Sequence, residues 1–455
     1  MKIIIVGIGK LGEYLAKSLV KDGNEVTLID TDFKRVTDII NNEDLNYVSG
    51  NALDADVLTT AGIASCDLLI SAMNKDEQNV MACLLGKKLG AKHTIARIRD
   101  TEYTKSIDIL KEELGLSMVI NPEKLTAGHI ARSLNTPSAL ESTTFFKGRI
   151  QMIALKVKED DILKGITINS LSKKMDYNCI ICAVKREGNT IIPTGSTKLH
   201  EGDKIYVTGT PKYINNFLKK TKRIAEKTKK VIISGGSDTA IYLAKNLLDM
   251  GIQVKIIELT EERCKFLSTE LPDAIIINGD VSDQNVLLEE GIDKCDAFVS
   301  LNSIDEENII YSMFASLQGV PKIITKINHI EMDGIVEKTN LDTVITPHKI
   351  ATNQIVKYVR AMQNSGTSNC EAVYQFDDEQ FEILEFYVKK EFEGLNIKLR
   401  DLNLKPDILI LAILRGKNII IPNGNDCIKR KDTVVIIDGE NKVKNIEDIV
   451  DSHEK

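Results

Sequence analysis

Near the start of the chain, Gly7-Ile8-Gly9-Lys10-Leu11-Gly12 sets three glycines at a spacing that can cradle a phosphate. The loop follows the apolar run Ile3-Ile4-Ile5-Val6 and opens a stretch with Leu11, Leu15 and Leu19 on one helical face. An acid, Asp30, stands 18 residues beyond Gly12. Strand, glycine loop, helix and acid in that order are what a dinucleotide fingerprint requires. Gly7 permits a tight turn, Gly9 lets backbone amides approach a pyrophosphate, and Gly12 lets the helix pack close to the sheet. Ile8, Lys10 and Leu11 complete the cradle, and the helix N-terminus adds partial positive charge. Asp30 can accept hydrogen bonds from ribose hydroxyls, which favours NAD over NADP because a 2′-phosphate would be repelled.

The same order returns 228 residues later, with Gly235 for Gly7 and Glu258 for Asp30. Gly50-Asn51-Ala52-Leu53-Asp54 matches Gly279-Asp280-Val281-Ser282-Asp283, and Asp76-Glu77-Gln78-Asn79 matches Asp305-Glu306-Glu307-Asn308. Arg97 falls on Lys326, and Asn121-Pro122 on Thr346-Pro347. The duplication runs on through Ile191-Ile192-Pro193-Thr194-Gly195 and Ile420-Ile421-Pro422-Asn423-Gly424, and through Asp203 and Asp432. The second loop is eroded: Ser237 replaces the second glycine, Ala240 the third, and Asp238 stands in place of Lys10. A side chain at Ser237 crowds a pyrophosphate and the Asp238 charge repels it. Gly235, Ser237, Glu258 and Asp280 are the candidate ligand residues of that copy, with adenosine or AMP-like binding and a purely structural role both open.

Positioning these residues calls for alternating strands and helices: strands at 2–6, 25–29, 46–49, 67–71, 94–98 and 118–121, and helices at 11–21, 32–41 and 77–89. That alternation means βαβ units and a parallel sheet. From about 148 to 209, short β-branched runs bounded by Gly, Pro, Asn and Asp suit a small lobe. The fold class is therefore α/β, with two Rossmann-like doubly wound parallel sheets, each followed by a small mixed α/β lobe. The expected domains are 1–136 and 140–222 for the first copy, and 229–363 and 370–455 for the second. The basic stretch Lys219 to Lys230 reads as the linker between copies.

Bulk properties narrow the function. The 455 residues are 43% hydrophobic and 27% charged, with a formal net charge of −7. An acidic balance argues against a nucleic-acid partner and against a polybasic lipid anchor. No apolar run approaches the roughly 20 residues of a membrane span, and the N-terminal run is short for a signal peptide, so a cytoplasmic location is expected. Eight cysteines in mostly apolar contexts suit reduced thiols. Cys179 and Cys182 form a C-x-x-C within Cys179-Ile180-Ile181-Cys182-Ala183-Val184, which reads as a buried strand; no metal site is expected. His93 and His129 stand alone, and no cluster of His, Lys or Tyr suggests an acid or base beside a nicotinamide. The chain therefore reads as a sensor rather than an enzyme.

The order Rossmann–lobe–Rossmann–lobe, with Gly7 to Gly12, Asp30, Asp76 to Asn79, Ile95-Ala96-Arg97-Ile98-Arg99 and Ile-Ile-Pro-x-Gly in both lobes, resembles the TrkA family. These are cytosolic regulatory subunits of Trk potassium-uptake systems, built from domains that regulate conductance of K⁺. The resemblance implies NAD(H), or ATP/ADP, in the first Rossmann domain, where Asn51, Ala52, Met73, Asn74 and Arg97 would join the pocket. Arg97, at the end of a strand, could reach a phosphate, whereas Lys326 keeps only the charge. It also implies a Trk-type membrane K⁺ subunit as partner, peripheral attachment to the inner face of the cell membrane through that protein, and a homo-tetramer. Related domains assemble as rings of eight, and this chain would bring two. The competing readings are an NAD-dependent oxidoreductase and a regulator of another K⁺ channel or antiporter.

Overall fold

The computed structural model describes residues 1–32, 45–135, 139–146, 148–175, 178–223, 227–328, 341, 343–364, 370–376, 380–389, 391–439 and 443–451. The chain divides into two compact units that interleave along the sequence. One comprises Met1–Leu134 with Thr228–Val356, the other Asn135–Lys227 with Lys357–Lys455.

In the first unit, β1 (Lys2–Val6), β2 (Glu25–Asp30), β3 (Asn46–Ser49), β4 (Leu68–Ser71), β5 (His93–Arg97) and β6 (Met118–Ile120) form one sheet in the order β3-β2-β1-β4-β5-β6. Every pairing is parallel. Burial of Ile3, Ile4, Ile5 and Val6 on both faces of β1 explains its unbroken apolar run. The strand order reverses between β1 and β4, whose ends meet at Val6 and Ser71, and open α/β sheets bind ligands at such a point.

The second copy repeats this sheet. In the second unit, β7 (Glu141–Phe145), β8 (Ile150–Lys156), β9 (Cys179–Arg186), β10 (Asn189–Ile191) and β11 (Lys204–Gly209) form an antiparallel lobe in the order β10-β9-β11-β8-β7. Back in the first unit, β12 (Lys230–Ser234), β13 (Gln253–Glu258), β14 (Ile275–Asn278), β15 (Ala297–Ser300), β16 (Lys322–Lys326) and β17 (Thr343–Ile345) follow the order β14-β13-β12-β15-β16-β17. The second lobe, with β18 (Cys370–Phe376), β19 (Phe381–Tyr387), β20 (Ile408–Arg415), β21 (Asn418–Ile420) and β22 (Thr433–Asp438), has the order β18-β19-β22-β20-β21. The two lobes share a core in which Met152, Ala154, Ala183 and Tyr206 meet Phe381, Ile383, Ala412 and Val435.

Several helices escape the sequence reading, Thr101–Leu110 and Pro122–Asn135 among them. Pro122–Asn135 begins with proline at its first position, where the missing N–H costs nothing. Its Ala127, Ile130, Ala131 and Leu134 join the core of the second copy, with Val231, Ile241, Leu243 and Leu247. Ile130 and Leu134 are fully buried there, each contributing about 2 kcal/mol. Tyr14 of the first copy stacks near His348 of the second, with ring centroids 6.3 Å apart.

Other expectations meet the structure unevenly. The helix expected at 32–41 lies almost wholly outside the described residues. The stretch read as a linker from Lys219 is helical at its start, because Lys219 and Lys220 end the helix Pro211–Lys220, and Lys230 already begins β12. Thr210 caps that helix and Ile214, Phe217 and Leu218 bury its apolar face, which carries the lysines along. Cys179 and Cys182 lie on β9 facing opposite sides of the sheet, in separate cores. Burial pushes the Cys182 thiol up to about 12, so it is inert at neutral pH. Among the described residues no His, Cys, Asp and Glu side chains cluster to hold a metal, and no helix is long and apolar enough to cross a membrane.

Candidate functional site: two grooves at the strand ends

The first groove is built from the ends of β1, β2, β4 and β5 and from the start of the helix Lys10–Lys21. Gly7 turns with φ +87°, and a Cβ there would lie 2.8 Å from the Met73 amide nitrogen, so only glycine fits. A Cβ on Gly12 would lie 2.2 Å from the Gly7 carbonyl oxygen, the close approach of helix to loop. Gly9 differs: a Cβ there would meet nothing within 4 Å. Its backbone faces open space, the cradle a pyrophosphate needs.

Asp30 holds this loop in shape. Its Oδ2 accepts from the Ile8 amide at 2.6 Å and its Oδ1 from the Asp32 amide at 2.9 Å. Each oxygen keeps further lone pairs for ribose hydroxyls. Lys10 is half-buried on the first helical turn. Leu11 and Ala52 are core residues, 2% and 3% exposed, and Ile8 is likewise buried. Asn51 folds into its own turn, accepting from the Leu53 amide at 3.0 Å. Met73 is half-buried beside Gly7, and Asn74 is exposed with its carbonyl accepting from Arg99.

Sequence reasoning gave no role to the residue that joins these strand ends. Asn79 is fully buried; its Oδ1 accepts from Ser71 Oγ at 2.8 Å and the Met73 amide at 2.7 Å. Its Nδ2 donates to the Met73 carbonyl at 3.0 Å and the Arg97 carbonyl at 2.9 Å, tying β4 to β5. Asp76 receives the Arg99 and Asp100 amides, both at 2.9 Å. The signals were repetition and the place of Asp76 to Asn79 in the family resemblance, and Asn308 makes the same four bonds, to Ser300, Asn302 and Lys326.

Arg97, at the end of β5, has its side chain 11% exposed and a terminal nitrogen 3.7 Å from Glu123 Oε1. Burial lowers its basicity, and the neighbouring Glu123 charge opposes that. Burial likewise pushes the Glu123 carboxyl up, against the pull of Arg97. Arg97 Nε, Arg99 Nε, Asp76 Oδ1 and Glu123 Oε2 are buried without hydrogen-bond partners among the described residues. Buried donors and acceptors left without partners are costly unless a ligand or water meets them.

The second groove keeps the frame. Gly235 has φ +90°, and Glu258 accepts from the Gly236 amide at 2.8 Å and the Thr260 amide at 2.9 Å, as Asp30 does. Asp280 repeats the Asn51 turn, accepting from the Ser282 amide at 2.8 Å. The loop itself is different. Ser237 caps its helix, its Oγ accepting from the Ala240 amide at 3.4 Å. Asp238, expected to repel phosphate, is paired with Arg263 at 2.7 Å, so its charge is largely answered.

The lobes explain their own repeated acids. Asp203 pairs with Arg186 and Asp432 with Arg415 through two hydrogen bonds each, all between 2.8 and 3.0 Å. Both acids are 1% exposed and brace β-turns rather than bind a ligand.

The TrkA-N domain family matches residues 3–122 and 231–347, and the TrkA-C domain family matches 152–222 and 385–450. The chain is 32% identical over 440 residues to the Trk system potassium uptake protein TrkA of Haemophilus influenzae, covering 96% of this chain and 95% of that one. It is 30% identical to a TrkA homolog of Archaeoglobus fulgidus, over 99% of this chain and all of the other. Among solved structures, a GsuK channel bound to NAD aligns with TM-score 0.62 at 18% identity, covering 96% of this chain and 76% of that one. Matched along almost its whole length in both copies of both domains, the chain belongs to the TrkA family.

Proposed function

We propose that the chain is a cytosolic, nucleotide-sensing regulatory subunit of a Trk-type potassium uptake system, and not an enzyme. The observation that carries this reading is the first groove: the open backbone at Gly9 beside an Asp30 carboxylate already oriented by the Ile8 amide. NAD(H) fits these residues, with ribose hydroxyls on Asp30 and pyrophosphate at Gly9 and the first turn of the helix. Arg97 and its unfilled Nε serve the part of the ligand that reaches β5. The same fold holds NAD in one GsuK structure and ADP in another, so ATP and ADP belong in the test.

Glu123 offers a route from ligand to response. It is the second residue of the helix Pro122–Asn135, whose apolar side chains sit in the second copy's core. A phosphate that recruits Arg97 weakens the Arg97–Glu123 pair and biases the position of that helix. The reading includes a membrane K⁺ subunit as the partner that senses this bias, peripheral attachment through it, and a tetramer. Relatives named for potassium uptake over the same length support the partner.

Calorimetry with NAD⁺, NADH, ATP and ADP on the wild type and Asp30→Ala tests the proposal. One dinucleotide should bind per chain and be weakened about 30-fold in the variant, without oxidation of NADH. No nucleotide binding, or NADH binding indifferent to Asp30, would overturn it; turnover of NADH would favour an oxidoreductase.

A further inference from the structure

Asn-Gly occurs twice in the chain, at Asn278-Gly279 and Asn423-Gly424, and the fold treats the two pairs differently. A glycine has no side chain to shield its amide nitrogen, which lies within reach of the preceding asparagine's side-chain carbon. Attack by that nitrogen closes a five-membered ring and expels ammonia. The rate depends on what already holds the nitrogen and the side-chain amide.

At the end of β14 both are held. The Gly279 amide donates to the Glu258 carbonyl at 3.0 Å. Asn278 Nδ2 donates to the Leu259 carbonyl at 2.8 Å and to the Glu258 carbonyl at 3.2 Å. Ring closure there has to break these bonds first.

The other pair lies between β21 and β22 of the second lobe, where Asn423 and Gly424 are exposed. Asn423 opens a turn: its carbonyl accepts from the Asp426 amide at 3.0 Å, and its amide donates to Asp426 Oδ2 at 2.8 Å. Among the described residues, neither the Gly424 amide nor Asn423 Nδ2 has a hydrogen-bond partner. Asn423 Oδ1 accepts from the Asn425 amide at 2.9 Å. A donor on that oxygen stabilises the negative charge that gathers there when the carbon is attacked.

We propose that Asn423 is a site of spontaneous deamidation and that Asn278 is protected from it. The Gly424 nitrogen loses its proton to hydroxide and bonds to Asn423 Cγ; the Cγ–Nδ2 bond breaks, and the amide nitrogen takes a proton from water and leaves as ammonia. Water then opens the ring. Opening at Cγ leaves aspartate, and opening at the main-chain carbon leaves isoaspartate, whose backbone is longer by a methylene. That longer backbone falls where the turn is tied to its lobe: the Gly424 carbonyl accepts from the Arg400 amide at 3.0 Å, and the Asp426 carbonyl from the Leu399 amide at 2.8 Å. The first lobe builds the same turn with threonine. There the Thr194 amide donates to Thr197 Oγ1 at 3.0 Å, the Thr194 carbonyl accepts from the Thr197 amide at 3.0 Å, and the Gly195 carbonyl from the Asn169 amide at 2.9 Å. Ageing by this route falls on the second lobe and spares the turn of the first.

The test ages the full chain in warm, mildly alkaline heavy-oxygen water and maps tryptic peptides by mass spectrometry. Asn423 should convert at least tenfold faster than Asn278, since Gly279 reacts only after local opening. Conversion should quicken as pH rises and give isoaspartate beside aspartate. Ageing in concentrated urea should bring the two rates together. Asn423→Thr, the residue used by the first lobe, should melt like fresh wild type and hold that melting temperature through ageing, while aged wild type melts lower. No conversion at Asn423 in the folded chain, conversion at Asn278 as fast, or a rate difference that persists in urea would overturn the inference. Conversion at Asn423 with an unchanged melt would overturn the effect on the lobe.

Discussion

The two grooves share a scaffold and differ in what faces the ligand. In both, an acid at the end of the second strand draws in the loop amide, and an asparagine on the helix after the fourth strand ties neighbouring strand ends together. The divergence lies in side chains that point away from that scaffold: Ser237 for Gly9, Asp238 with Arg263 for Lys10, and Lys326 for Arg97. A duplicated fold thus keeps the bonds that hold the strand ends in register and is free to change the side chains around the loop. Loss of a glycine motif removes one kind of ligand geometry, and says little about whether the groove is still a groove.

The largest expected effect probes the shared part. Asn79→Ala and Asn308→Ala each strand a buried hydroxyl, an amide and carbonyls, and should destabilise by about 3 kcal/mol. Equal losses in denaturant melts would support a common scaffold, and a marked inequality would break the comparison at its base. Next is Asp30→Ala, which removes both loop brace and ribose acceptor and should weaken NADH by about 30-fold, or about 2 kcal/mol. Glu258→Ala should leave NADH affinity at the first groove unchanged, and titration of both variants reads the contrast directly.

Smaller effects refine it. Gly9→Ser makes the first loop resemble the second. Its Cβ meets nothing in the protein, so the melting temperature should hold while NADH affinity falls about tenfold through crowding of the phosphate. A fall in stability with unchanged affinity would mean that Gly9 serves the fold. Smallest is Ser237→Ala, which removes a cap from the second copy's helix and should cost about 1 kcal/mol with no change in NADH binding.

How much of this was legible in the sequence follows from how local each constraint is. Gly7, Gly12 and Asp30 could be read because a tight turn, a close helix and a ribose acceptor each demand one residue type at fixed spacing. Asn79 and Asp76 were visible as a recurring pattern and as part of the family resemblance but without a role, since an amide's hydrogen bonds to two strands leave no periodic trace. Arg263 reads in sequence as one more charge on a surface helix, and its role appears only when that helix is laid beside the Gly236 loop. The helix Pro122–Asn135 was missed because its apolar face is satisfied by residues more than a hundred positions away. The short β-branched runs of the lobes were legible, but their shared core was not, because either lobe could have covered that face with its own helices.

That helix also bears on how the protein comes into being. While the chain is being made, Ile130 and Leu134 emerge well before Val231, Ile241 and Leu247, the side chains that will surround them. An apolar strip must wait, unburied, through the synthesis of an entire lobe before its shelter exists. Cutting the gene between the two copies would part that strip from the side chains that cover it in this chain. The halves are thus bound to one another by folding order as well as by sequence, and the duplication has become hard to undo.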